Sequence, residues 1–371
     1  MTRTLLSMLD SASARFAGAP YCYRKTAAGW TPKSFAQVRD EAHQVATALR
    51  FRGLQPEGKA VILGEGSPEW VTFEFGVLMA AAISVPLSIK LLPEELPFRI
   101  NHSDATVVGA SWNQLSKLAS VYNQLQAKPL VVLLEDSDEQ LNEARSLLPQ
   151  ASVTSYQELC SEGRAAATRE HEETLRIAET VGENSVATIS YTSGTTGNPK
   201  GIMLTHLNYY SNTHAGVEMF EVPPDYSTLV ILPCDHSFAH TVAIYAALNA
   251  GISLSFVDAR GGGVAILRNI PTNMKEMNPV FLLTVPALSG NFMKKIVQGV
   301  EEKGGFVNGL FQAGVRAGIR RNGDGWNRAG FFTRLVTWFP HTVAEVLIFR
   351  TVRKTFGTRI KFFVGGGALL D

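Results

Sequence analysis

The chain has 371 residues, enough for two or three packed units, and its 45% hydrophobic and 18% charged content excludes extensive disorder. With 34 basic residues against 33 acidic ones the net charge is +1, which excludes a bulk electrostatic pull toward nucleic acid. Cys22, Cys160 and Cys234 are odd in number and lack zinc-ligand or redox spacing, so a reducing interior is the simplest reading.

The opening "MTRTLLSMLDSASARF" is cut by Asp10 before it can form a signal core. Phe35 to Leu49 has helical periodicity, with Gly53 beyond it as a stop. "KAVILGEG" reads as a buried strand, and "SPEWVTFEFGVLMAAA" as a helix capped by Ser67 with Pro68 at its first position. The longest apolar stretch, Phe75 to Ile89, is shorter than the ~20 residues that span a bilayer and is broken by Pro86. It reads as a buried helix running into the strand "AISVPL". A short helix in "PEELPFRINHS" and strands in "ATVVGAS" and "LVVLLEDS" follow. The polar segment from Glu162 to Glu183 reads as an exposed helix or connecting arm. "SVATISYTSGTTG" is a strand entering a glycine-rich loop, and "STLVILPC", "GISLSFVD", "PVFLLTVP" and "RIKFFVGGG" are later strands. Strands alternating with helices predict an α/β layer architecture, and no fixed-period repeat is visible. The chain is thus expected to be cytoplasmic, or at most peripheral to the inner face of a membrane.

The loop is the most informative stretch. "SYTSGTTGNPKGIMLTH" sets Thr192, Ser193, Thr195 and Thr196 among Gly194, Gly197 and Gly201, and ends on Lys200. Glycines let successive N–H groups point inward, hydroxyls add short donors, and the lysine adds a full charge, a combination suited to polyphosphate. The spacing is not that of the P-loop NTPases, because Gly194 and Gly197 are two residues apart and Gly201 follows Lys200. A flexible linker is disfavoured because the run joins a β-branched strand to "GIMLTHLNYYSN".

The whole string resembles the signature loop of the adenylate-forming (AMP-binding) superfamily. "LVILPCDHSFAHT", "PVFLLTVPALSGNFMKKI" and "FRTVRKTFGTRIKFFVGGGALLD" look most like long-chain fatty acyl-CoA synthetases, and the likeness extends over essentially the entire chain. The resemblance implies two stacked α/β lobes, approximately 50–200 and 205–371 with 1–49 packing on the second, forming an incomplete N-terminal adenylation domain over residues 1–371. It implies ATP and Mg²⁺ as cofactors, without saying which residues hold the metal, and fatty acid and coenzyme A as partners. Thr192, Ser193, Gly194, Thr195, Thr196, Gly197 and Lys200 inherit the grip on the β- and γ-phosphates, Thr196 and Lys200 as catalytic residues. His236 falls on the acyl side; Gly365, Gly366, Gly367 and Ala368 fall on the acyl–adenylate side. Two departures stand out: Ala239 occupies the place of a usual glutamate, and Leu369 that of a usual proline. His236 and His240 are four apart, but with no third ligand evident, pocket lining or a satisfied buried histidine is the better reading. "DARGGGVAIL" lacks the dinucleotide fingerprint and reads as a tight turn between strand and helix.

The family's Tyr-Gly-x-Thr-Glu segment, its ribose-binding aspartate and its mobile C-terminal lid with the catalytic lysine do not occur before Asp371. The expectation is therefore a front portion that binds ATP and acyl group and catalyses the full reaction poorly; the alternative is a degenerate binding module without turnover. One further segment, 311–361, carries Arg316, Arg320, Arg321, Arg328, Arg334, Arg350, Arg353, Lys354, Arg359 and Lys361 against only Asp324 and Glu345, interleaved with aromatics. It suits either a peripheral contact with an anionic membrane or an ordinary helix pair that covers a sheet and solvates a basic face.

Overall fold

The computed structural model describes residues 2–135, 137–192, 198–220, 222–323 and 329–367. The chain divides into two compact units, Met1–Asn269 and Ile270–Asp371. Among the described residues the first carries the strands β1 (Pro20–Thr26), β2 (Gly29–Ser34), β3 (Lys59–Leu63), β4 (Ile83–Pro86), β5 (Ala105–Ala110), β6 (Leu130–Leu133), β7 (Val153–Ser155), β8 (Val186–Thr192), β9 (Lys200–Thr205), β10 (Ser227–Val230) and β11 (Ser253–Phe256). A seven-stranded sheet runs β7-β6-β5-β3-β4-β8-β9. It is parallel except for β9, which pairs antiparallel with β8 at the edge. Beside it, β10, β11 and β1 lie parallel, and β2 folds back on β1 as a hairpin. The β1–β2 hairpin and β9 carry no run of alternating apolar residues, and the sequence pattern alone does not announce them.

One helix organises this unit. In Pro68–Met79 every residue is buried, as an all-round apolar helix must be. Ser67 Oγ accepts from the Trp70 N–H at 3.0 Å, and Pro68 occupies the first position, as its N-terminal signal predicts. The helix Phe35–Phe51 lies across it; a Cβ at Gly76 would come within 2.4 Å of Val45 Cγ1, so only glycine permits that approach. Helix Phe35–Phe51 starts at a capping box in which Ser34 and Gln37 each accept the other's N–H. The polar stretch expected to be an exposed helix or arm forms two helices, Tyr156–Ala165 and Thr168–Glu179. They are docked to helix Phe35–Phe51 by the Arg52–Glu162 and Arg50–Glu173 ion pairs and by Gly163, which lies directly against the Gln44 carbonyl.

The second unit holds a parallel strand pair, β12 (Phe281–Thr284) and β13 (Phe362–Gly365), in register from Phe281 opposite Phe362 to Thr284 opposite Gly365. Between them the chain makes helices Pro286–Glu301, Gly305–Asn322 and Phe331–Ala344, the last continuing through a wider turn at Glu345–Phe349 into Arg350–Thr355. Val300, Phe311 and Ile348 form its small apolar core.

His206 anchors the N-terminal helix Leu5–Phe16: its Nδ1 accepts the Leu5 N–H at 3.2 Å, and burial pushes the imidazole down to about 4. The unfolded chain therefore takes up a proton near pH 6.5 that the folded chain refuses until about pH 4. Stability should fall by about 3 kcal/mol as the pH drops across that window. Denaturant unfolding at a series of pH values should show this slope, and His206→Asn, which keeps an acceptor but does not titrate, should flatten it.

Candidate active site

The β8–β9 hairpin holds the glycine-rich loop by both ends. The register runs from Val186 opposite Thr205 to Thr192 opposite Lys200, so the two described ends of the expected phosphate cradle face one another across the ladder. Both side chains are exposed. Ser193, Gly194, Thr195, Thr196 and Gly197 lie outside the described residues. Tyr191 fixes the approach to the loop: its hydroxyl bonds His102 Nδ1 at 2.8 Å and donates to the Arg99 carbonyl at 3.3 Å.

His236 is exposed and begins the short helix Ser237–Ala239, its Nδ1 accepting the Phe238 N–H at 3.2 Å. His240, four residues on, is wholly buried and faces a different partner. Its Nε2 stands 3.0 Å from Glu74 Oε1 on the central helix. The same carboxylate accepts from Ser84 Oγ at 3.0 Å and from the Tyr245 hydroxyl at 3.1 Å. Burial pushes the Tyr245 phenol well above its ordinary value, so it serves as a donor. The segment His240–Tyr245 is wound as a π-helix. Residues five apart on an α-helix differ by roughly 140° around the axis, whereas the i→i+5 winding brings them toward one face. His240 and Tyr245 accordingly stack, 5.5 Å apart and 16° from parallel, and both reach Glu74. Tyr245 meets the edge of Tyr209 at 4.9 Å, and Tyr209 shares a 2.8 Å hydrogen bond with Thr188 on β8. A continuous set of contacts thus links the His236–Tyr245 segment to the strand that delivers Thr192.

This answers the departure at Ala239. That residue is fully buried, and the carboxylate beside His240 comes from Glu74. With His240 turned to Glu74 and His236 to the backbone, the two imidazoles do not share a ligand. Among the described residues no three His, Cys, Asp or Glu side chains are arranged to hold a metal ion.

Sequence reading also missed a polar cleft of about 730 Å³ at the carboxyl ends of β3, β5, β6 and β11, lined by Arg24, Glu65, Ser111, Glu135 and Arg260 among others. Crevices of this kind are where open α/β sheets take ligands. Glu65 accepts from Ser111 Oγ and Gln114 Nε2. Burial pushes Glu135 up to about 7, against the opposing effect of the Trp112 N–H that it accepts.

In the second unit, Gly365 ends β13 and Gly366 continues its pairing by donating to the Thr284 carbonyl at 3.2 Å. Gly367 has φ +78°, a conformation that favours glycine. Ala368 lies outside the described residues.

Residues 9–359 match the family model described as AMP-binding enzyme. Long chain acyl-CoA synthetase 7, peroxisomal, of Arabidopsis thaliana is 24% identical over 341 residues, covering 91% of this chain and 44% of that protein. 4-hydroxybutyrate–CoA ligase 2 of Metallosphaera sedula is 32% identical over 204 residues, covering 55% of this chain and 35% of that one. The crystal structure of the adenylation domain of a carboxylate reductase from Mycobacterium chelonae superposes with a TM-score of 0.68 at 16% identity, over 99% of this chain and 54% of that one. The chain spans less than half the length of these two curated relatives.

Removing Glu74 takes the acceptor from the buried His240 Nε2, and removing His240 takes one of the three donors that converge on the buried carboxylate. Glu74→Ala and His240→Ala should each destabilise the first unit by about 3–5 kcal/mol, and the double variant by clearly less than the sum. Denaturant unfolding of the three variants checks this; strict additivity would show that the two groups do not depend on each other.

Proposed function

The chain belongs to the AMP-binding enzyme family, and from that premise we propose that it is the ATP- and acyl-binding front part of a ligase that activates a fatty acid. In the first step the acid's carboxylate oxygen attacks the α-phosphorus of ATP, the bond to the β-phosphate oxygen breaks, and pyrophosphate leaves an acyl-adenylate. In the second, coenzyme A thiolate attacks the acyl carbon and AMP departs with the bonding pair. All the reactants are anionic, so the work is positioning and charge neutralisation. Mg²⁺ enters with the nucleotide as part of the substrate.

The observation that carries this reading is the register Thr192 opposite Lys200, which sets a hydroxyl and a cation together at the mouth of the Gly/Ser/Thr loop. In this reading Lys200 and Thr196 are the catalytic residues on the leaving pyrophosphate, and Thr192, Ser193, Gly194, Thr195 and Gly197 complete the cradle. By the resemblance, His236, exposed at the start of its helix, belongs to the acyl side, and Gly365, Gly366, Gly367 and Ala368 are assigned to the acyl–adenylate side. The long-chain preference draws on the plant relative, whereas the Metallosphaera relative carries the name of a short hydroxy acid; acids of both lengths therefore belong in the assay.

Lys200→Ala should weaken ATP binding by about 10- to 100-fold, the range for loss of one charge-assisted hydrogen bond. Calorimetry on the chain and the variant measures this, and equal affinities would remove the reading. ATP-dependent pyrophosphate exchange with a fatty acid then separates the two forms of the proposal. Exchange marks an adenylating enzyme, and ATP binding without exchange marks a module that holds its ligands without turnover.

A further inference from the structure

The helical part of the second unit resolves the ambiguity of the basic, aromatic segment. Helices Gly305–Asn322 and Phe331–Ala344 pack against each other, and the contact between them is made of small side chains. A Cβ on Gly314 would lie 2.2 Å from that of Ala344, and Gly314, Ala317, Thr337 and Ala344 are all buried. The rings that reach this seam are Phe349 beside Gly314 and His341 beside Gly318; those of 331–339 do not. They are turned outward: Phe331 is 75% exposed, Phe332 80%, Leu335 61%, Val336 75%, Trp338 58% and Phe339 69%. Phe331, Leu335 and Trp338 form one stripe at i, i+4, i+7, and Phe332, Val336 and Phe339 form the stripe beside it. Scattered exposed apolar residues are ordinary, but two adjacent stripes of large ones mark a surface that meets an apolar partner.

The charge around the stripes says which partner. Arg321 and Arg334 line a cleft of about 430 Å³ together with Phe331, Leu335 and Trp338. Arg316 and Arg320 are exposed on the neighbouring helix, and Arg350 and Lys354 farther along. Among the described residues of 305–355 the only acidic side chain is Glu345, and it is paired with Arg353. A second copy of this chain docked on the same face would bring arginines against arginines. An anionic bilayer offers hydrocarbon to the rings and phosphate to the guanidinium groups, which can reach the headgroups from beside a buried apolar face.

We propose that helix Phe331–Ala344 lies in the interface of an anionic lipid bilayer, its aromatic stripes among the acyl chains and Arg321 and Arg334 on lipid phosphates. The surface stands on its own observations. Its use, delivering a membrane-partitioned acid to the enzyme, rests on the function proposed above.

The test sediments the chain with vesicles of phosphatidylcholine alone and of phosphatidylcholine mixed with phosphatidylglycerol. Binding should require the anionic lipid and weaken with salt. Arg321→Gln with Arg334→Gln should lower the partition about 30-fold, and Phe332→Ser with Leu335→Ser at least about tenfold, with circular dichroism unchanged because Phe332, Arg334 and Leu335 are exposed and Arg321 lines the open cleft. Indifference to the vesicles, or to these substitutions, overturns the proposal. So does a dimer by light scattering that Phe332→Ser with Leu335→Ser dissociates while vesicles are ignored, since it makes a second copy the occupant. ATP calorimetry on the same preparations keeps the inferences apart: vesicle binding without ATP binding sinks the function, and ATP binding without vesicle binding sinks only the membrane surface.

Discussion

Glu74 sits in a helix buried on every side, and its carboxylate has no access to water. An ionisable group in that position is tolerable only if donors converge on it, because desolvation without compensation costs several kcal/mol. Here they come from elements far apart in sequence: Ser84 on β4, and His240 and Tyr245 on the π-wound segment. The central helix, the parallel sheet and the segment that begins at His236 must therefore assemble together. Their packing cannot slip by a turn without stranding a buried polar group. The π winding belongs to the same requirement, since it presents residues 240 and 245 to one acceptor. Tyr209 then carries the arrangement to Thr188, and so to the strand that ends at Thr192.

Local signals were legible wherever the chemistry was local. Ser67 and Pro68 open the central helix as their side chains require, Gly53 closes the preceding one with φ +97°, and the β-branched run Val186–Thr192 is a strand entering the glycine loop. The Asp258–Leu267 stretch is a turn from β11 into a helix, with Gly261 and Gly262 both at positive φ. What escaped was non-local. Nothing near His240 announces Glu74, which is 166 residues away, and Ala239 by itself suggested only a missing carboxylate. Strand β9 escaped because it is an edge strand: Met203 is exposed, and Gly201 interrupts the pattern.

The aromatic segment shows the complementary limit. Composition counts rings and arginines but does not say which side of a helix meets its neighbour. That is settled by the smallest residues, Gly314 and Ala344, whose close approach fixes which faces of the two helices meet. The core of that unit is built from Val300, Phe311 and Ile348, and none of the rings between 331 and 339 belongs to it. An amphipathic pattern is thus compatible with either polarity until the packing partner is known.

The pairing of Thr192 with Lys200 has a consequence for chain entropy. Backbone hydrogen bonds on either side of the hairpin fix where residues 193–199 begin and end, with Cα atoms across such a ladder roughly 5 Å apart. The loop-closure cost of bringing those ends together is met when the sheet forms. Weakening β9 at its edge would then return that closure cost to the segment between Thr192 and Lys200.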